Sequence, residues 1–190
     1  MKMNVPKILL TTSRNPTARV RTFCNDLVRM LPNALRINRG KMSNEQLAEK
    51  ALEEGARHII VVDRGQSGSG AIRFCKIGQS GLLPIPPGLH VAGIRLQRDF
   101  GIISRVKPVR AIAILNPVPP DEVKRFATVL ADFFSIPLLS VDEATKTATS
   151  LMSLQRDANG KIAVTFMAES GHVEVGPRVT VSKVDWRVHT

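Results

Sequence analysis

Tyrosine is absent from this 190-residue chain, tryptophan occurs once, and aromatic residues make up 4% of the sequence. A protein that reads RNA by stacking bases on exposed rings would have little here to build a platform from. Cysteine is as scarce. Cys24 and Cys75 are too few for a disulfide framework and too isolated for a zinc knuckle, and both read as small core residues. No apolar run approaches the roughly 20 residues of a membrane span. The N-terminus passes quickly into TTSRNP, without the apolar core of a secretory signal. No GxxxxGK[ST] loop occurs, and Gly65, Gly68 and Gly70 do not sit in a strand-to-helix turn with dinucleotide-binding spacing. His58, His90, His172 and His189 lie far apart, in no catalytic motif; His58 reads as a strand-edge residue. These absences lead to the expectation of a cytoplasmic, non-catalytic protein with no cofactor and no metal.

What the chain does have is positive charge, unevenly placed. The formal net charge is +11 and the sequence pI about 10.5. Residues 1–110 carry +12 and residues 111–190 carry −1. Through Lys41 there are nine basic side chains and one acid, Asp26, which reads as a helix-surface partner for Arg29 at i+3. Surfaces without a charged partner usually mix signs, so the concentration points to a polyanion. Nucleic acid fits best. An anionic membrane ranks well below it, because insertion needs large apolar residues free of a core. With so few aromatics, recognition should rest on phosphates and RNA shape, aided by Ser, Thr and Asn.

The same basic segment reads as a complete strand, turn, helix and strand. Ile8, Leu9 and Leu10 form a short apolar run, and Ser13-Arg14-Asn15-Pro16 breaks it. Thr17 suits an N-cap, Val20, Phe23, Leu27 and Leu31 follow at helical spacing, and Pro32-Asn33 ends the helix. Arg21, Asn25 and Arg29 share one polar helix face. Ser43 caps a second helix over residues 44–54.

A second unit from Val109 aligns with the first at a constant offset of 103. Leu9 falls on Ile112, Pro16 on Pro119, Val20 on Val123, Phe23 on Phe126, Leu27 on Leu130, Leu31 on Phe134 and Leu35 on Leu138. The offset also lays residues 58–62 over 161–165, while no helix as clear as 44–54 appears in the second half. Residues 71–77, 90–97, 161–168 and 178–187 read as strands, Ala158-Asn159-Gly160 as a hairpin turn, and the stretch around Pro84, Pro86 and Pro87 as a loop. The fold class expected is α/β: a single domain over 1–190 made of two pseudo-repeated halves, about 1–105 and 106–190. Each half is expected to be a mixed sheet with packed helices, and the gap-free register favours an internal duplication.

LLTTSRNPTARVRTF, followed by LPNALRINRGK, resembles the opening signature of the Brix-domain proteins, which act in ribosome biogenesis. VEVGPRVTVSKV, residues 173–184, is similar to the family's second signature. The resemblance covers nearly the whole chain and is closest to the branch that assists small-subunit ribosomal RNA processing. IGQSGLLPIPPGLH departs from the family's pattern, and a domain without charged extensions resembles the archaeal form. The resemblance implies two halves similar to the anticodon-binding domains of one class of aminoacyl-tRNA synthetases. It also implies a ribosomal RNA precursor as partner, with ribosome assembly proteins beside it and no membrane.

The RNA-binding candidates are Ser13, Arg14, Asn15, Thr17, Arg19, Arg21, Arg36, Asn38, Arg39, Lys41 and Arg178. Each has a structural alternative: Arg14 could pin its turn, Asn38 could cap its loop, and Arg178 could hold the last strand against the sheet. Two rival functions stay open. The Ser13-Arg14 turn lies between strand and helix, where α/β enzymes hold phosphate. The near-neutral second half could serve a protein-interaction adaptor in a ribonucleoprotein.

Overall fold

Ile8, Leu9 and Leu10 lie buried at the centre of β1 (Lys7–Thr12). The chain leaves this strand through the Pro16 turn and enters α1 (Ala18–Met30), whose first turn is capped by the Thr17 hydroxyl accepting the Val20 N–H. The computed structural model describes residues 7–64, 70–101, 109, 111–116, 120–168 and 173–187. Pro119, Gly65, Gly68, His172 and His189 lie outside the described residues. Within them β2 (Ala34–Arg36), α2 (Asn44–Glu53), β3 (Ala56–Asp63), β4 (Gly70–Gly78), β5 (Gly81–Arg95) and a 3₁₀ turn (Gln97–Phe100) complete the first half. The second half contains β6 (Ile112–Leu115), α3 (Asp121–Phe134), β7 (Leu138–Leu139), α4 (Val141–Thr147), β8 (Ser150–Arg156), β9 (Ile162–Ala168) and β10 (Arg178–Asp185).

Among the described residues the strands form one mixed sheet of ten, in the order β2-β1-β3-β4-β5-β10-β9-β8-β6-β7. Each half contributes five strands, parallel and antiparallel, with helices packed on them, and the two sets run on into a single sheet through the antiparallel β5–β10 pair. Connectivity is the same on both sides of that seam. β1 lies parallel between β2 and β3, as β6 lies between β7 and β8, and two antiparallel steps then lead to the seam. α1 and α3 bury Phe23 and Phe126 in one core on one face of the sheet. α2 and α4 cover the other face with smaller cores around Leu47 and Ala144. The result is three layers with a helix pair on each face.

The offset of 103 holds along the helices and slips in the strands. Val20, Phe23, Leu27 and Leu31 share the main core with Val123, Phe126, Leu130 and Phe134. Leu9, however, faces α2, whereas Ile112 faces the main core. Leu35 and Leu138 differ in the same way. No single offset carries the strands, since Ala34 lies opposite Ile8 on β1 whereas Leu138 lies opposite Ile114 on β6. Side chains alternate across a sheet, so one residue gained or lost in a turn exchanges the faces of a whole strand.

Other expectations change for physical reasons. Residues 58–62 lie in β3, whose counterpart by position is β8, whereas 161–165 run into β9. His58 is not at a sheet edge: β3 is flanked by β1 and β4, and its ring stacks on Phe133 at 4.6 Å between centroids. The second half does contain a helix equivalent to α2, namely α4, begun by a Ser140–Glu143 capping box. Pro84, Pro86 and Pro87 sit within β5. β10 pairs with β5 only between Gly88 and Arg95, so these prolines fall where one edge of the strand has no ladder to donate into. Asp26 is buried, and its carboxylate accepts the Gln97 backbone N–H at 3.0 Å. Burial pushes that carboxyl up, while the Gln97 bond draws it back.

Candidate nucleic-acid interface

The C-terminal ends of β1 and β3, the start of β4, the far end of β5 and the start of β10 share one rim of the sheet. The Ser13–Thr17 turn lies on this rim, tied down by the Ser13 N–H bond to the Val62 carbonyl. The loop after β2 is drawn beside it. Ile37 N–H donates to the Leu10 carbonyl, and the Thr11 hydroxyl donates to the Ile37 carbonyl. Nine of the eleven predicted residues therefore meet around the β2–β1 edge, while Arg19, on α1, reaches across to the Ile94 carbonyl at the end of β5. Arg178 is on the same rim, but four strand spacings of about 4.8 Å away.

How each cation is held separates them. Arg14, Arg21 and Lys41 are exposed. Arg21 Nη1 donates to the Pro16 carbonyl at 3.0 Å, and Arg14 and Lys41 make no direct bond among the described residues. Arg36 spreads its two terminal nitrogens between the amide oxygens of Asn25, at 2.7 Å, and Asn38, at 2.8 Å. Arg39 donates Nε to the Met42 carbonyl and Nη2 to the Asn44 amide oxygen at 2.6 Å. All these acceptors are neutral, so they position a guanidinium and leave its charge in place. Arg19 differs, because it bonds the Ile94 carbonyl at 2.6 Å and the Asp99 carboxylate at 3.0 Å. Arg178 forks onto both oxygens of Glu174. Ser13, Asn15 and Thr17 line the turn, with Thr17 spent on its cap.

The electrostatics follow from this arrangement. Arg39 is 7% exposed, and burial first, then the nearby charges of Arg14 and Arg73, holds its pKa below the ordinary guanidinium value. The acids in reach are Asp63, 3.9 Å from Arg73, and Glu45, whose pKa is lowered first by its hydrogen bond with Ser43 and also by Arg14. α1 has no acidic residue in its first turn, so its N-terminal dipole is uncompensated by its own side chains. A cleft of about 590 Å³ opens beside that turn, between Arg19 and Val20 on one side and Arg64 and Ile94 on the other. Arg73 was missed by sequence reasoning, since nothing in its strand's alternation marks it as a neighbour of Arg39. All the aromatic side chains are accounted for: six phenylalanines are buried, Phe100 lies under Arg95 at 4.0 Å, and Trp186 lies under Arg125 at 3.9 Å.

No family model matches the chain. Among curated proteins, a Brix domain-containing ribosomal biogenesis protein of Pyrobaculum aerophilum is 27% identical over 184 residues, covering 95% of this chain and 96% of the relative. The equivalent protein of Aeropyrum pernix is 30% identical over 178 residues, covering 92% of this chain and 94% of the relative. The chain belongs to the Brix domain-containing ribosomal biogenesis proteins. In the crystal structure of a ribosomal biogenesis protein from Aeropyrum pernix K1 the Brix fold superposes with a TM-score of 0.76 at 28% identity, over 95% of this chain and 99% of that one. An archaeal Imp4-like protein, Mil, gives 0.64 over the same shares, and at 21% identity it speaks for the Brix fold alone. The departure at the proline-rich stretch is compatible with that fold, because those residues extend β5.

Proposed function

We propose that this Brix-domain chain is a non-catalytic, cytoplasmic RNA-binding factor that assists processing or assembly of a ribosomal RNA precursor through the cations around the β2–β1 edge. The observation that carries the proposal is the way those arginines are held. Arg21, Arg36 and Arg39 are fixed by carbonyl and amide oxygens, so folding orients them without neutralising them. A structural arginine is better served by a carboxylate, as Arg178 and Arg156 are. The capped or buried aromatics support contact through phosphates over base stacking.

The test replaces the three exposed cations Arg14, Arg21 and Lys41 with glutamine, and in a control Lys124, Lys146 and Lys183. Each exposed substitution should change stability by no more than about 0.5 kcal/mol. Binding to a structured ribosomal RNA fragment, titrated at several salt concentrations, should weaken in the first variant and lose up to about three units of salt slope. The control should bind as the parent does. Equal losses would place the RNA across both halves. If neither variant loses affinity and the protein turns over a phosphate ester, an enzyme site at the Ser13-Arg14 turn replaces this reading. If neither loses affinity and an assembly protein binds the second half, the adaptor reading does.

A further inference from the structure

Arg73 belongs to no motif, yet the sheet places it beside the most deeply buried cation of the surface. Thr11, Val61 and Arg73 are in cross-strand register on β1, β3 and β4, and Val61 packs with Leu47 and Ala51 of α2. All three side chains therefore point to the α2 face. The Thr11 hydroxyl holds the Ile37 carbonyl over this row, which brings Arg39 onto the same face two residues later. Cys75, the next residue on that face of β4, lies within reach of the charges of both Arg39 and Arg73, although burial dominates and raises its thiol pKa. Arg39 uses Nε and Nη2 on neutral acceptors, and no described residue bonds its Nη1. Arg73 is half exposed, its carboxylate neighbour Asp63 standing off at 3.9 Å.

We infer that Arg39 and Arg73, with Arg14 at the rim, form a phosphate seat on the α2 face of the sheet. The inference rests on the RNA-binding reading above and deepens it by naming a position. Arg21 and Arg36 lie on the α1 side of the β2 edge, because Arg36 bonds Asn25 of α1 and shares the sheet face of Ala34. Arg39 and Arg73 lie on the other side. An RNA that touches both sets passes over this corner of the sheet, around the short strand β2 or across the rim at Arg14. Guanidinium groups suit this, since each offers a planar pair of donors to two phosphate oxygens. The phosphate could be an internal diester or an unpaired 5′ end; the seat recognises the oxyanion common to both.

Arg73→Gln is the decisive variant, because Arg39 also braces its own loop and its loss could unfold that region. The full chain would be titrated by fluorescence anisotropy with a structured RNA bearing either a 5′-hydroxyl or a 5′-phosphate, at several salt concentrations, with thermal melting to confirm folding. Arg73→Gln should weaken binding about tenfold at low salt and reduce the salt slope by about one unit. Arg73→Lys should keep the slope and recover only part of the affinity, since the point charge stays and the fork is lost. A loss confined to the 5′-phosphate RNA assigns the seat to an end; equal losses assign it to the backbone. If Arg73→Gln binds both RNAs as the parent does while the Arg14, Arg21 and Lys41 variant is impaired, the seat is wrong and the wider surface stands. If neither variant is impaired, the RNA-binding reading itself is overturned.

Discussion

The two halves of the sheet share a connectivity and differ in what holds their arginines. In the first half Arg19 and Arg73 meet Asp99 and Asp63, but Arg21, Arg36 and Arg39 lean on Pro16, Asn25, Asn38, Met42 and Asn44, none of them charged at its accepting atom. In the second half Arg156 meets Glu122, Arg178 meets Glu174, and Lys183 and Arg187 both reach Asp185. The helix N-termini differ in the same sense. α1 opens with no acid, whereas α3 opens with Asp121 and Glu122. One half completes its electrostatics internally, and the other leaves an excess for something outside the chain. Scaffold and charge are thus separable. Phe23 and Phe126 share one core while the rims at the two ends of the sheet have opposite characters.

The largest effect is expected where the halves agree. Phe23→Ala and Phe126→Ala each remove a fully buried ring from the shared core and should each cost about 3–5 kcal/mol in denaturant unfolding. Costs that differ by more than about 2 kcal/mol would show that the two helices are not equivalent supports. Next comes an exchange of character. Changing Asn25, Asn38 and Asn44 together to aspartate gives the first half the carboxylate holders of the second. The fold should persist, since Asn44→Asp puts a carboxylate in the first turn of α2, where the helix dipole favours it. With Arg36 and Arg39 both neutralised, the RNA salt slope should fall by about two units and affinity by about a hundredfold. Unchanged affinity would mean that neutral holders are incidental.

The smallest effect is a pH dependence belonging to the first half. His58 on β3 lies opposite Ile8, and the residue opposite Ile112 on β8 is Ser150. Burial lowers the His58 pKa below 6.5, opposed by a hydrogen bond with the Phe133 backbone. Above about pH 6.5 the imidazole is neutral both folded and unfolded. As pH falls below that value the unfolded chain takes up the proton first, so stability declines until the folded pKa is passed. His58→Gln should flatten this part of the curve of unfolding midpoint against pH, even though losing the stack on Phe133 lowers the whole curve. An identical slope in the variant would assign the titration elsewhere.

Much of this was legible in the residues themselves. Thr17 and Ser43 mark their helices because a hydroxyl before an apolar period has one local use, and both are caps. The charge asymmetry needs no coordinates. Local rules failed where distant strands decide. A run of prolines reads as a loop unless β10 is known to stop at Gly88. Asp26 reads as a partner of Arg29 unless Gln97, 71 residues away, is known to lie over it. α4 is too short for its period to stand out, although Ser140 and Glu143 have capping-box spacing. Within the candidate surface the gathering of Arg14 with Arg39 could be anticipated from their turns. Arg73 could not, since its place depends on the register of three strands.

The seam of the sheet also governs when the protein can exist as a folded body. β10 is the last strand described, yet it stands sixth in the sheet, bonded to β5 on one side and β9 on the other. Its partners on β5 lie some 80 to 100 residues earlier, as Arg95 with Arg178 and Gly88 with Asp185 illustrate. During synthesis the five strands of the first half and the first four of the second can gather their helices, but until residues 178–185 emerge β5 and β9 each present an open edge to the other and to any passing strand. Such long-range closure is slow, because the loop must be ordered before its contacts form. Gly176 makes the final step exacting: a Cβ there would come within 2.4 Å of Phe166, so the chain entering β10 must settle directly against a core ring that is already in place. The sheet therefore stays divided until nearly the last of the described residues has been made, waiting for the strand that unites its halves.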